Sequence, residues 1–383
     1  MRKVVLKIIL ICLVGLVFSQ ENWLEGDKYD NGQIQFKYKT INDSLTSIIY
    51  YYENGFIASE GYLKKNKEGE LQKEDYWISY HDNGQISTIG LHVDNELNGR
   101  WTFFWRNGQL RSEVDFSGSE RYFRTRIDSD GNIQVENGEG HLIEYYEGTD
   151  QIYEETYYKN GKPDGVSVMY YENGQLSQKR IDRNGKIHGK LINYYEDGQL
   201  KLESSYKQGL LDGLTKSYYE DGQLESEGNY KNGKLEGLVK NYYEDGQLKS
   251  EFSYKQGLLD GLTKSYYEDG QLQSEGSYKQ GLGEGLFKIY YKDGQLKIEK
   301  NYRQDLMDGL VKEYYEGGQL NTIFNYDKGI LNGQTVEYSI NNDILTMGSF
   351  LNGEKNGRWI YFDKNGQISY DFYIDGELNK SGE

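Results

Sequence analysis

Leu238-Val239-Lys240-Asn241-Tyr242-Tyr243-Glu244, then Asp245-Gly246, then Gln247-Leu248-Lys249-Ser250-Glu251-Phe252-Ser253-Tyr254, is the stretch that decides the fold. A strand-length run rich in Tyr and Val meets an Asp-Gly turn signal, and a second strand-length run returns. Asp-Gly in a two-residue loop predicts a type I′ turn, in which both central residues need φ > 0. Counting outward from that turn pairs Glu244 with Gln247, Tyr243 with Leu248, Tyr242 with Lys249, Asn241 with Ser250, Lys240 with Glu251 and Val239 with Phe252. Gln256-Gly257 through Asp260-Gly261 reads as the turn into the next unit, and Pro163 falls in the corresponding turn of an earlier one.

The unit recurs. Gly174, Gly198, Gly222, Gly246, Gly270, Gly294 and Gly318 each open a Gly-Gln-Leu string, six successive intervals of 24, and the phase reaches Gly366 past a degenerate anchor at Asn342. Upstream, Gly32, Gly55, Gly84, Gly108 and Gly131 lie 23, 29, 24 and 23 apart. That gives about fifteen units, and a fixed period of this size means stacked supersecondary units rather than two or three globular domains. The same register sets Lys216 opposite Glu227, Lys264 opposite Glu275 and Lys288 opposite Glu299. Each such cross-strand pair contributes roughly 0.2 to 1 kcal/mol, and a slip of one residue would scramble all of them. Val239, Phe252, Tyr243 and Leu248 then share an apolar face, while Tyr242, Lys240, Lys249 and Glu251 share a wet one.

The expected fold is therefore all-β: an elongated single ribbon of stacked antiparallel hairpins, in irregular units over 20–150 and regular 24-residue units over 151–383. At ~4.8 Å per strand the ribbon gains roughly 10 Å per unit, on the order of 150 Å in all before twist. Composition agrees, with 38 Tyr, 47 Gly and a single Pro. Tyr suits a half-buried pleated surface, and Gly supplies left-handed turns.

The opening residues, 1–19, read as a signal peptide: basic Arg2 and Lys3, an apolar stretch from Ile8 to Phe18, and small Ser19 before a polar run. Export is the expectation, with no transmembrane span once the signal is removed, since the apolar stretch is short for a bilayer. Cleavage there removes Cys12, the one cysteine, so disulfides play no part in stability. The chain carries a net charge of −17, and the basic opening lies within that total. Clustered cations for phosphate are missing, so nucleic acid is excluded as a partner.

Glu227-Gly228-Asn229-Tyr230-Lys231-Asn232-Gly233-Lys234-Leu235-Glu236-Gly237, followed by Tyr242-Tyr243-Glu244-Asp245-Gly246, resembles the MORN repeat. It looks most like the bacterial MORN-variant class, many members of which carry the label of YwqK-like antitoxin. The resemblance covers nearly everything after the signal and is clearest from Tyr157 to Gly333. One departure is visible: Gly237 is followed by Leu238-Val239 where a second glycine would sit. The resemblance implies scaffolding, membrane-proximal or partner-binding roles. The antitoxin label implies a cytoplasmic toxin partner, at odds with an export signal.

Chemistry is sparse. His81, His92, His141 and His188 do not follow the period, and no His-Glu-x-x-His, Cys-x-x-Cys, Gly-x-Ser-x-Gly or P-loop string is present. No enzyme, cofactor or metal is expected. Asp128-Ser129-Asp130-Gly131-Asn132 imitates a calcium loop, but Arg126 and Asn137 stand where its first and last ligands belong, so it reads as a hairpin turn. The binding candidates are two. Tyr170, Tyr194, Tyr218, Tyr242, Tyr266, Tyr290 and Tyr314 recur at 24-residue steps toward the wet face, a ladder suited to stacking on sugar rings or anchoring a protein. Lys64, Lys65 and Lys67 form a basic insertion inside the 29-residue interval. The expected role is a non-enzymatic exported scaffold that binds a protein or glycan, with self-association as a further possibility and antitoxin-like neutralisation as the alternative.

Overall fold

The computed structural model describes residues 23–382, so the expected signal peptide lies outside the described residues. Every regular element in that span is a strand, and the chain divides into two compact units between Ser167 and Val168. In each unit the strands pair antiparallel with their sequence neighbours, hairpin beside hairpin.

Two turn types alternate, and they differ from the sequence expectation. The two-residue I′ turn sits at Asn232-Gly233 and Gln256-Gly257, where both residues have positive φ and Lys231 faces Lys234 or Lys255 faces Leu258. At Asp245-Gly246 only Gly246 is left-handed, at φ +84°. There the Gly246 N–H donates to the Tyr243 carbonyl and the Tyr243 N–H to Gln247, a three-residue loop built as a type I turn with a left-handed glycine. The Asp245 side chain decides it: its Oδ1 accepts the Gln247 N–H at 2.9 Å, which holds Asp245 in ordinary backbone space.

The register consequence is confined to the loop. Asn241–Ser250, Lys240–Glu251 and Val239–Phe252 pair as expected, but a shift next to the loop sets Tyr242, not Tyr243, opposite Leu248. Asp260-Gly261 is no turn. Leu258–Tyr266 is one strand, interrupted where Asp260-Gly261-Leu262 bulges against Ser253. Pro163 likewise lies in a strand, Lys162–Tyr170. Its equivalent Leu211 follows a turn-flanking pair, so its N–H points away from its own hairpin and a proline costs that hairpin nothing.

The buried face is a row in 24-residue steps. In the second unit Leu191, Thr215, Val239, Thr263, Phe287, Val311, Thr335 and Trp359 share that lattice point, and Leu191, Thr263, Val311, Thr335 and Trp359 are buried. The two largest members each lie over a glycine of a neighbouring strand, Phe287 over Gly276 and Trp359 over Gly348. Phe287 is gripped edge-on by Tyr278 and Tyr302, with ring centroids at 5.4 and 4.9 Å. The first unit repeats the scheme with Trp77 over Gly61 and Trp101 over Gly90, in a core with Ile48 and Leu63.

Candidate functional site

Successive units of the regular region are tied by two forward braces. The second tyrosine of each doublet donates its hydroxyl to a carbonyl 23 residues on: Tyr195 to Tyr218, Tyr219 to Tyr242, Tyr243 to Tyr266, all at 2.7 Å. This corrects the expectation that these rings fill the core; they are half-buried posts at the three-residue turns. In four successive bulges an acid, Asp212, Glu236, Asp260 or Glu284, reaches 20 residues on to cap the next I′ turn, as Glu236 accepts the Gln256 N–H at 2.9 Å and Asp260 that of Gln280 at 3.2 Å. The Asp-Gly turns carry carboxylates that are engaged in turn capping, Asp197 to Gln199 and Asp221 to Gln223.

The wet face of the second unit is organised in columns across the strands. One column is an uninterrupted charge zipper: Glu203, Lys216, Glu227, Lys240, Glu251, Lys264, Glu275, Lys288, Glu299 and Lys312, each directly opposite the next. The four expected pairings are all in register. Ion pairs cross both within and between hairpins: Lys216–Glu227 at 3.6 Å, Lys240–Glu251 at 3.9 Å, but Lys288 to Glu275 and Lys312 to Glu299. Exposed pairs of this kind stabilise by about 0 to 1 kcal/mol each, so the zipper fixes register more than it adds stability.

Beside it runs the tyrosine column. Tyr170, Tyr194, Tyr218, Tyr242, Tyr266, Tyr290 and Tyr314 all lie half-buried at the ends of their strands. The hydroxyls of Tyr242, Tyr290 and Tyr314 donate to Glu227, Glu275 and Glu299 at 3.2, 2.9 and 3.2 Å. Burial, reinforced by those carboxylates, pushes the Tyr290 phenol up to about 12, and Tyr242, Tyr266 and Tyr314 move the same way. The hydroxyls of this column are thus tied to the zipper's carboxylates, and the rings are half-buried beside it.

The column that sequence reasoning missed is aliphatic. Leu214, Leu238, Leu262, Leu286 and Leu310 are 41 to 49% exposed, immediately beyond the bulges on the zipper side. Leu210, Leu258, Leu282 and Leu306 are as exposed next to the I′ turns. Scattered exposed leucines are ordinary, but rows repeating on one face are an interaction signature. The signal was present as Gly-Leu every 24 residues, Leu238 standing where the second MORN glycine would be.

Lys64, Lys65 and Lys67 belong to a lengthened hairpin in the first unit. Strands Ile57–Lys65 and Leu71–Tyr80 gain the pairs Lys64–Gln72 and Lys65–Leu71 and close on Asn66 to Gly69. The three lysines border an open hollow of about 390 Å³, and Lys64 is engaged by Glu74 at 3.0 Å. Two of the four histidines hold structural positions. His81 takes a doublet tyrosine's place, its Nε2 3.2 Å from the Phe104 carbonyl, and His92 is buried between Trp77 and Trp101. Asp128 to Asn132 is a hairpin turn, with Asp128 Oδ1 accepting the Asn132 N–H at 2.8 Å. Among the described residues no cluster of His, Cys, Asp or Glu could hold a metal ion, and no helix is long and apolar enough to cross a membrane.

No curated protein matches the chain. Solved structures of TcdB2–TccC3 align with 91 to 92% of it at 11 to 12% identity, among them the form without its hypervariable C-terminal region, at a TM-score of 0.16, and the intact form at 0.13. The Photorhabdus luminescens Tc holotoxin pore aligns over 90% at 12% identity and 0.14. The chain spans about a quarter of those proteins' length (24%, 30% and 23%), and likeness at that level carries nothing over. The MORN repeat variant, by contrast, matches eight times, at 97–117, 163–181, 187–208, 211–232, 235–256, 259–280, 283–304 and 307–328. Those copies fall in phase with the I′ turns, the bulges and the buried row, and the chain belongs to the MORN repeat variant family.

Proposed function

We propose that this chain is a non-catalytic, exported repeat scaffold whose wet face in the regular units docks a protein partner. The observation that carries the reading is the pair of exposed leucine rows running beside a charge-neutral zipper: a large, periodic, partly apolar surface with no pocket chemistry attached. Protein is favoured over glycan because the tyrosines that would stack on sugars are half-buried, with hydroxyls bonded to Glu227, Glu275 and Glu299, whereas the leucines stand exposed. Export rests on the basic and apolar opening residues.

Cell fractionation with a carboxy-terminal tag, followed by capture from envelope extract using wild type and a Leu238→Asn, Leu262→Asn, Leu286→Asn variant, tests both parts. The expected result is a processed chain outside the cytoplasm whose partner band is lost in the variant. A cytoplasmic, unprocessed chain, or capture indifferent to the substitutions, defeats the reading.

A further inference from the structure

We propose that the partner which fits this wet face is a second copy of the same chain, packed face to face about a two-fold axis that runs parallel to the strands between Leu248–Lys255 and Leu258–Tyr266. The inference rests on the docking reading above and names its occupant.

Self-complementarity is written in two adjacent columns. The zipper has ten members in strict alternation, from Glu203 to Lys312. A two-fold axis at its centre reverses the order, and an alternating row of even length meets its own reverse with every Glu opposite a Lys. Glu251 meets Lys264 of the other copy, Lys240 meets Glu275, and Glu227 meets Lys288. Charge complementarity of this kind selects register and partner more than it adds affinity.

The leucine column obeys the same operation. Strands that carry Lys in the zipper carry Leu two residues away, and strands that carry Glu carry Asn or Ser: Leu214 lies opposite Asn229, Leu238 opposite Ser253, Leu262 opposite Ser277 and Leu286 opposite Asn301 within one chain. The two-fold sets each Lys strand over a Glu strand of the other copy. Leu262 then enters the gap over Ser253, Leu238 that over Ser277, and Leu286 that over Asn229. The side chains mesh instead of colliding. An isologous contact requires this mutual exchange, residue i on j and j on i.

Periodicity supplies the reason for a second copy in particular. Rows that repeat every 24 residues are matched at all points only by a surface with the same repeat. Twist limits the extent, since facing sheets stay within about 30° of alignment, so the strands nearest the axis, from Leu224–Lys231 to Gly285–Tyr290, make the contact.

The test is sedimentation of the full chain through the micromolar range, together with cross-linking in a Cys12→Ser background. A concentration-dependent dimer is expected. The Leu238→Asn, Leu262→Asn, Leu286→Asn variant should be monomeric, with a melting temperature equal to the wild type's at concentrations low enough to dissociate the dimer, because these side chains are already half in water. Leu238→Cys with Ser277→Cys, three strands apart in one chain, should form disulfide-linked dimers on mild oxidation, while Leu238→Cys with Asn301→Cys should not. A wild type that stays monomeric, a dimer indifferent to the leucine changes, or equal cross-linking of both cysteine pairs overturns the proposal. A monomer whose leucine changes still abolish envelope capture overturns the second copy alone and leaves the scaffold reading standing.

Discussion

Gly276 lies directly beneath Phe287, so that a methyl group added at the glycine would stand 2.2 Å from the ring. The glycine is there for the space and not for its backbone, since its φ is ordinary. Gly276→Ala should therefore destabilise by about 1 to 3 kcal/mol, the usual cost of overpacking. Urea denaturation measures it, and Phe287→Leu added to Gly276→Ala should recover much of the loss.

The hydroxyl brace from Tyr243 to the Tyr266 carbonyl can be removed without touching the ring. Tyr243→Phe is expected to cost about 0.5 to 1.5 kcal/mol, the net worth of one such hydrogen bond. Loss of amide-exchange protection should concentrate in the two units that the bond joins. A uniform loss across the second unit would show that the brace is not local.

His92 links stability to pH. Burial against Trp77 and Trp101, with Lys73 nearby, holds its imidazole below the ordinary value of 6.5, so the folded chain prefers the neutral ring. An unfolded chain takes up a proton as pH drops through 6.5, which pulls the equilibrium toward unfolding. The first unit should lose stability as pH falls below neutral, and the loss should level off once pH lies below the folded value. Melting temperatures of wild type and His92→Phe between neutral and mildly acidic pH are expected to diverge in that window.

Gln208, Gln256 and Gln280 hold the left-handed first position of I′ turns at φ near 52°, where other units use Asn184 and Asn232. Asn reaches that region more readily than Gln. Gln256→Asn should stabilise by on the order of 0.5 kcal/mol, and the three changes together should raise the melting temperature additively, since the sites are separate.

The sequence made the hairpin lattice legible because two independent patterns agreed: Lys240 and Glu251 on one face, Val239 and Phe252 on the other. Turn type was not legible from Asp245-Gly246 alone, because a left-handed glycine serves both candidate turns. What separates them is whether the preceding aspartate caps Gln247. The leucine column was missed one step further out: Leu238 was read as the first residue of its strand, but the pairing count stopped at Val239 and Phe252, short of the Leu238–Ser253 pair that sets its face. The tyrosine column was placed on the correct face by alternation. Its half-buried state depends on where Glu227 and Glu275 reach, which spacing does not encode.

The forward braces also bear on how such a chain changes over generations. The hydroxyl of Tyr243 and the carboxylate of Glu236 each reach a partner at a fixed distance ahead, 23 and 20 residues. Slippage during replication that copies or deletes one whole period leaves every donor with an acceptor, whereas loss of half a period strands both. Copy number can drift freely while each surviving unit keeps its shape.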